Sequence, residues 1–286
     1  MKYKKADGAF TVPISDNEAN EYIKARSVYD YPKAFVEITS PGLHDIQLSD
    51  SVFCRFVTPS TSQRTDLLLD QYHYELLRSD IPVDRLLGLA SVVYWGYFTF
   101  GDAYARNKVD WLINGSRTSP ATTSKSAFAH TTSAIFHLNR LCMADALSSL
   151  HGLSQLGQTP FSSKVIAFMA PSVAGVYDNR IANGLLSSTW STTLSVGIGQ
   201  TKSSRVKNCY QSWCLYLSQV ASQLNLGISL GKAWQWSCGD DKKQHWRALD
   251  VERALFALYN KTASGFNVQM PEGFLTVETE EQFVAK

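Results

Sequence analysis

The sequence predicts a mostly α-helical protein with a small mixed segment at its N-terminus. Three observations point there. From Arg64 onward the apolar residues recur at steps of three, four and seven, the spacing of one helical face. Before Arg64 the chain is punctuated by Pro13, Pro32, Pro41 and Pro59 and carries only short apolar runs. No internal repeat or heptad pattern interrupts the helical part.

Taken in order, residues 1–63 form the mixed segment, expected to pack on the core, with Ala34 to Ile38 and Ser51 to Val57 as short strands. Residues 64–277 form the helical domain. Leu67, Leu68, Tyr72 and Leu76 mark one helix, and Leu86, Leu89, Val93 and Trp95 to Tyr97 mark another after Pro82. The latter belongs to the longest uncharged apolar stretch, Leu86 to Phe100, which is too short to span a bilayer and reads as a buried core helix. Ser116 to Ser126 is a loop by composition. Ile135, Leu138, Leu141, Cys142 and Leu147 predict one helix; Val206, Tyr210, Trp213, Leu217 and Leu224 predict the next; Trp246 to Tyr259 predicts the last. Residues 278–286 are an acidic tail expected to be mobile.

Composition bounds the function. Hydrophobic residues make up 44% of the 286, enough for a sizeable core and against global disorder. The net charge of +2 neither requires nor excludes a nucleic-acid partner, because a local basic patch can sit on a nearly neutral body. Five cysteines, without a CxxC pair, argue against a disulfide framework or structural zinc, and a reduced, cytoplasmic protein is expected. The first residues lack the apolar run of a signal peptide. No membrane association, metal or cofactor is expected, and a monomer is.

Several motif-like runs fail on chemistry. Gly227 to Ala233 is one residue short of a phosphate-binding loop and lacks the hydroxyl that would reach magnesium. Gly197-Ile198-Gly199 lacks a third glycine. Gly152-Leu153-Ser154 has Leu156 where a nucleophile elbow needs glycine. His130 and His137 lie seven apart without a carboxylate pair.

The run Thr159 to Pro171, continuing through Val176-Tyr177-Asp178-Asn179-Arg180-Ile181-Ala182, carries chemistry. Ser162 or Ser163 can cap a helix beginning near Lys164, and Pro171 stops it. Asp178 can cap the next helix. Both helix starts then face one groove. A lysine at a helix N-terminus is disfavoured as a cation, which enlarges its nucleophilic fraction. A fixed aspartate stabilises the positive charge that builds on a sugar when its glycosidic bond breaks. The pair therefore suits base removal from DNA, with Lys164 attacking the anomeric carbon and Asp178 stabilising the sugar cation.

Ser163-Lys164-Val165, an apolar helix, Pro171 and then Val176 to Ala182 resemble the end of the helix-hairpin-helix motif and the aspartate loop of the helix-hairpin-helix DNA glycosylases. The likeness is greatest to bacterial proteins related to 8-oxoguanine DNA glycosylase, a wider group in which some members are implicated in defence against phages with modified DNA. Trp246 to Phe256 resembles the C-terminal helix of those proteins. The resemblance implies a two-lobed helical fold with a cleft. It implies a Schiff-base role for Lys164, an essential aspartate at Asp178, a DNA-phosphate contact at Arg180 and a base-pocket position at Phe168. Its partner would be double-stranded DNA containing a modified base. Where that family has two glycines before the lysine, this chain has Pro160 and Ser162; hydroxyls of Ser162 and Ser163 would replace the backbone contact to phosphate.

A flipped base needs aromatic or apolar walls. Tyr94, Trp95, Tyr97, Phe98, Trp111, Trp213, Trp234, Trp236 and Trp246 are candidates, with Trp95 and Trp111 preferred for their polar flanks and Trp246 and Phe168 beside them. Lys202, Arg205 and Lys207, and separately Lys242, Lys243, His245 and Arg247, are candidate backbone contacts. The alternatives are a non-catalytic helical DNA-binding or regulatory protein on the same scaffold, and an all-α interaction protein.

Overall fold

The computed structural model describes residues 14–186, 198–237 and 242–261. Ser15 and Glu18 form a reciprocal capping box that starts α1 (Asp16–Ser27). Three short strands follow: β1 (Phe35–Thr39), β2 (Ile46–Ser49) and β3 (Val52–Val57). They make an antiparallel sheet in the order β1-β3-β2, with Phe35 opposite Val57. Thr65 caps α2 (Asp66–Arg78) and Pro82 opens α3 (Pro82–Tyr97). Helix α3 is buried from Arg85 to Gly96, as its apolar composition predicts. It is the central strut, packing on α2, α4 (Asp102–Ile113), α5 (Ser124–Leu138), α7 (Thr159–Met169) and β1.

The helix predicted across Ile135 to Leu147 is two. Leu141 takes a left-handed conformation (φ 58°), and the chain turns there between α5 and α6 (Met143–Ser149). Helix α8 (Asn179–Leu186), the long α9 (Ser204–Ser229) and α10 (Ala248–Lys261) complete the helices, with a two-residue ladder of β4 (Trp236–Ser237) and β5 (Lys243–Gln244) before α10. The sequence signals had missed α1, α4 and β2.

One hydrophobic core runs through the described residues, from Ala19 in α1 to Ala257 in α10. In the N-terminal part, α1 lies on α10 and β1 on α3. Helix α7 touches α2 and α3 on one side and α6 on the other, while α10 gathers α1, α8 and α9. The site described next lies where α3, α7, α8 and α10 approach one another. The predicted acidic tail lies outside the described residues.

No described helix is long and apolar enough to cross a membrane. Among the described residues no cluster of His, Cys, Asp and Glu could hold a metal ion. Cys54, Cys142 and Cys214 are free thiols.

Candidate active site

Helix α7 begins earlier than the sequence reading placed it. Pro160 sits in its first turn, where the missing N–H costs no hydrogen bond, so the helix starts at Thr159 and Lys164 lies in its interior. The helix-terminus argument for Lys164 therefore does not hold, and its chemistry has a different source. Lys164 is 5% exposed. Burial lowers its pKa, against the opposing pull of Asp178 and Glu252. The result is the one sought, a larger neutral fraction, reached by desolvation.

The stretch from Gly175 to Tyr177 is held against α7 and α9 by hydrogen bonds that set the approach to Asp178. The Tyr177 N–H donates to Ser163 Oγ at 3.0 Å, Trp213 Nε1 donates to the Val176 carbonyl at 2.9 Å, and the Tyr210 hydroxyl donates to the Gly175 carbonyl at 3.2 Å. They turn the chain back so that Asp178 begins α8 directly over Lys164. The two oxygens of Asp178 divide the work. Oδ1 accepts from the N–H groups of Arg180 (3.0 Å) and Ile181 (3.1 Å), the cap the sequence predicted. Oδ2 is left 3.8 Å from Lys164 Nζ. The amine also donates to the Pro160 carbonyl at 3.2 Å.

Both side chains open onto one cavity of about 300 Å³, at the lower end of ligand-pocket sizes. Its other walls include four aromatic rings, Tyr31, Phe100, Phe161 and Phe256, with Arg180 at its edge. The exposed Arg180 guanidinium lies over the Phe256 ring, 4.4 Å from its centroid. Gly96 forms part of the wall because nothing larger fits: a Cβ there would stand 2.9 Å from both Lys164 Cδ and Phe161 Cε1. The Tyr31 hydroxyl donates to the Gly96 carbonyl at 3.2 Å, which fixes that ring.

Other sequence candidates are placed elsewhere. Ser162 and Ser163 are fully buried. Ser162 Oγ donates to the Leu156 carbonyl and Ser163 Oγ receives the Tyr177 N–H, so neither reaches a phosphate; they serve as internal fasteners of α7. None of the four predicted pocket residues lines the cavity. Phe168 is 1% exposed and packs on His73 and Trp95. Trp95 lies one layer behind the wall, 4.4 Å from the ring of Tyr31. Trp246 is buried beside Trp236 and Tyr22, and Trp111 lies on α4 with Lys108 over its face. Phe168, Trp95 and Trp246 are core because large apolar rings gain most from burial, whereas Trp111 is half-buried on the outer side of α4. Lys202 and Arg205 are exposed at the approach to α9, where the preceding loop bonds to the start of α7 through Thr159 N–H and the Gly199 carbonyl at 3.0 Å.

The sequence reading missed Tyr31, Phe100, Phe161, Phe256 and Glu252. Phe161 and Phe256 lie inside the two runs already singled out, so proximity in sequence could have suggested them. Tyr31 and Phe100 carry no local signal. Glu252 is 3% exposed on α10. Burial and the neighbouring Asp178 push its carboxyl up to about 8, while Arg253, Lys164 and Arg26 pull it the other way. His73, buried behind Phe168, is pushed down to about 3 by burial and by Arg253 and Arg64.

These two groups set a pH dependence of stability. The folded protein retains the Glu252 proton from 4.5, its ordinary value, up to about 8, so this group makes stability fall as pH rises through that window. His73 stays neutral when folded between about 3 and its ordinary 6.5, so it makes stability rise with pH there. The two offset each other between 4.5 and 6.5. Above that range, of these two groups, only Glu252 contributes, with a slope of its own approaching about 1.4 kcal/mol per pH unit up to about 8. Urea denaturation from pH 6.5 to 8.5 is expected to show stability falling in the wild type and a flatter profile in Glu252→Gln. Equal slopes in the two proteins would remove Glu252 as the titrating group.

No family model, curated protein or solved structure matches this chain.

Proposed function

We propose that this protein is a DNA glycosylase that takes a modified base out of DNA and breaks its bond to the sugar. The observation that carries the reading is the pairing of a buried amine of lowered pKa with a carboxylate 3.8 Å away, in a cavity whose walls are largely aromatic. Aromatic walls suit a flipped base, and the Arg180 guanidinium at the edge suits a phosphate.

In this reaction the neutral Lys164 amine attacks C1′ of the sugar. The C1′–N bond breaks, its electron pair leaves with the base, and the base takes up the proton that the nitrogen of Lys164 releases once it is bonded to C1′. Positive charge accumulates on the sugar in the transition state, and Asp178 Oδ2 stabilises it. Opening of the sugar ring gives an imine to Lys164, from which elimination of the 3′-phosphate nicks the strand. Defence against phage with modified DNA and repair of damaged bases are both uses of such chemistry.

The direct test is incubation with genomic DNAs carrying different natural base modifications, followed by mass analysis of released bases. Asp178→Asn preserves size and the cap to Arg180 and Ile181 but removes the charge. Base release is expected to fall by a factor on the order of a hundred or more, with DNA binding retained. An Asn variant as active as the parent would reduce Asp178 to a helix cap. Binding without release by the wild type on every DNA tested would favour the non-catalytic alternative on the same scaffold.

A further inference from the structure

The wall of the cavity continues outward as a band of exposed rings. Phe161, inside the cavity, stacks on Tyr97 with centroids 3.8 Å apart and planes at 18°. Tyr97 meets Tyr104 at 5.7 Å, and Tyr104 meets Phe100 at 6.0 Å. Phe100 is 71% exposed and Tyr104 45%. Gly101, at φ 108°, makes the sharp turn into α4 that leaves Phe100 standing outward; a side chain there would be strained. Along α4, Tyr104, Lys108 and Trp111 follow at helical spacing on the same face. The Lys108 ammonium lies 3.9 Å from the Trp111 centroid, 5.0 Å from that of Tyr104 and 5.4 Å from that of Tyr97.

The charges on this helix are allocated in a way that leaves Lys108 available. Asp102 is held by Arg106 and by the Tyr94 hydroxyl, and Asp110 accepts from Asn114. Among the described residues Lys108 makes no ion pair with a carboxylate. The band therefore offers ring faces and one cation, and it begins at the mouth of the cavity.

We propose that this band is a stacking platform for unpaired nucleotides, so that the protein engages single-stranded or locally melted DNA beside the base held in the cavity. Rings and a cation match the two faces of a strand: bases stack on Phe100 and Tyr104, and the Lys108 ammonium answers a phosphate. Bases inside a duplex keep their faces covered by their neighbours, so an unpaired strand is the occupant that exposed rings fit. Adjacent rings are 5.7–6.3 Å apart and inclined at 52–69°, whereas bases along one strand of a duplex lie about 3.4 Å apart and parallel. Each ring can take one base only after it has left its neighbours. The inference rests on the glycosylase reading only for the register between platform and cavity; strand binding itself is a separate property.

The test uses the full chain and unmodified DNA. A fluorescein-labelled twelve-residue oligothymidylate and a blunt duplex of equal length are titrated by anisotropy. The single strand is expected to bind at least tenfold more tightly. Phe100→Ala and Tyr104→Ala should each weaken its binding by about fivefold or more, the scale of one base–aromatic stack, while Lys108→Ala should lessen its salt dependence by about 0.7 in the log–log slope. Phe100 and Tyr104 are exposed, and circular dichroism of the variants checks that the fold persists. Tighter binding of duplex, or single-strand binding indifferent to both ring substitutions, overturns the proposal. So does sedimentation showing that the two substitutions dissociate a dimer, which would make the band an interface between copies of this chain. Ring-dependent strand binding, with no base released from any of the modified genomic DNAs, would leave the platform standing and the glycosylase reading refuted; base release from those DNAs without ring-dependent strand binding would do the reverse.

Discussion

Borohydride added during turnover is expected to trap a covalent complex between the wild-type protein and DNA, and Lys164→Gln is expected to form none. The trapped species is the imine between Lys164 and the opened sugar, reduced to a stable amine. Base release and strand nicking should both fall in the Gln variant, by a factor on the order of a thousand or more, because the substitution removes the nucleophile itself. The fold should survive. Lys164 is buried, and its amine is already disfavoured there as a cation, so a neutral side chain of similar length removes a desolvation cost. Gln can also renew the hydrogen bond that the amine gives to the Pro160 carbonyl. A melting temperature equal to or above that of the wild type should accompany the loss of activity. Trapping by the Gln variant at the wild-type level would transfer the nucleophile to another amine. Base release by the wild type with no adduct and no nick would assign the attack to water and leave Lys164 to position the sugar.

Asp70→Ala is expected to destabilise the protein by about 3–5 kcal/mol, the cost of leaving a buried charge without its partner. Asp70 is 2% exposed on α2. It accepts from Arg253 Nη1 at 2.9 Å and from Arg247 Nη2 at 2.7 Å. Arg247 also holds the fully buried Asp250, at 2.7 Å through Nε, and Asp250 in turn receives Arg26 from α1 at 3.3 Å. The network ties α1 and α2 to the start of α10. Removing Asp70 strands Arg253, whose guanidinium has almost no access to water. In thermal unfolding the loss should appear as a drop on the order of 10 °C. A melting temperature within 2 °C of the wild type, roughly the reading error on this scale, would show that the two arginines find other acceptors. The same helix delivers Phe256 to the cavity and sets Glu252 near Lys164 and Asp178, so the network also supports the site's geometry.

Much of the framework follows from the sequence by itself. Apolar spacing determined α2, α3, α9 and α10, because a helical face of that regularity has to be buried. Pro171 determined where α7 ends, and Asp178 was legible as the cap of α8 because few side chains satisfy a helix N-terminus so well. That Lys164 and Asp178 share a site was also readable, since only a short connection separates them. Other features were decided by tertiary structure. Pro160 fits a helix interior's edge as well as a loop, so the start of α7, and with it the setting of Lys164, depended on how the segment between α6 and α7 packed. The lowered pKa of Lys164 then came from burial beneath α3 and α8, which local sequence does not encode. The aromatic walls were decided the same way. Trp95, Trp111, Trp246 and Phe168 look like a base pocket in one dimension, yet Trp95, Trp246 and Phe168 go to the core and Trp111 stays half-buried on α4, away from the cavity. Tyr31, Phe100, Phe161 and Phe256 line the cavity because four distant segments converge there, and such convergence belongs to the packing of the whole chain.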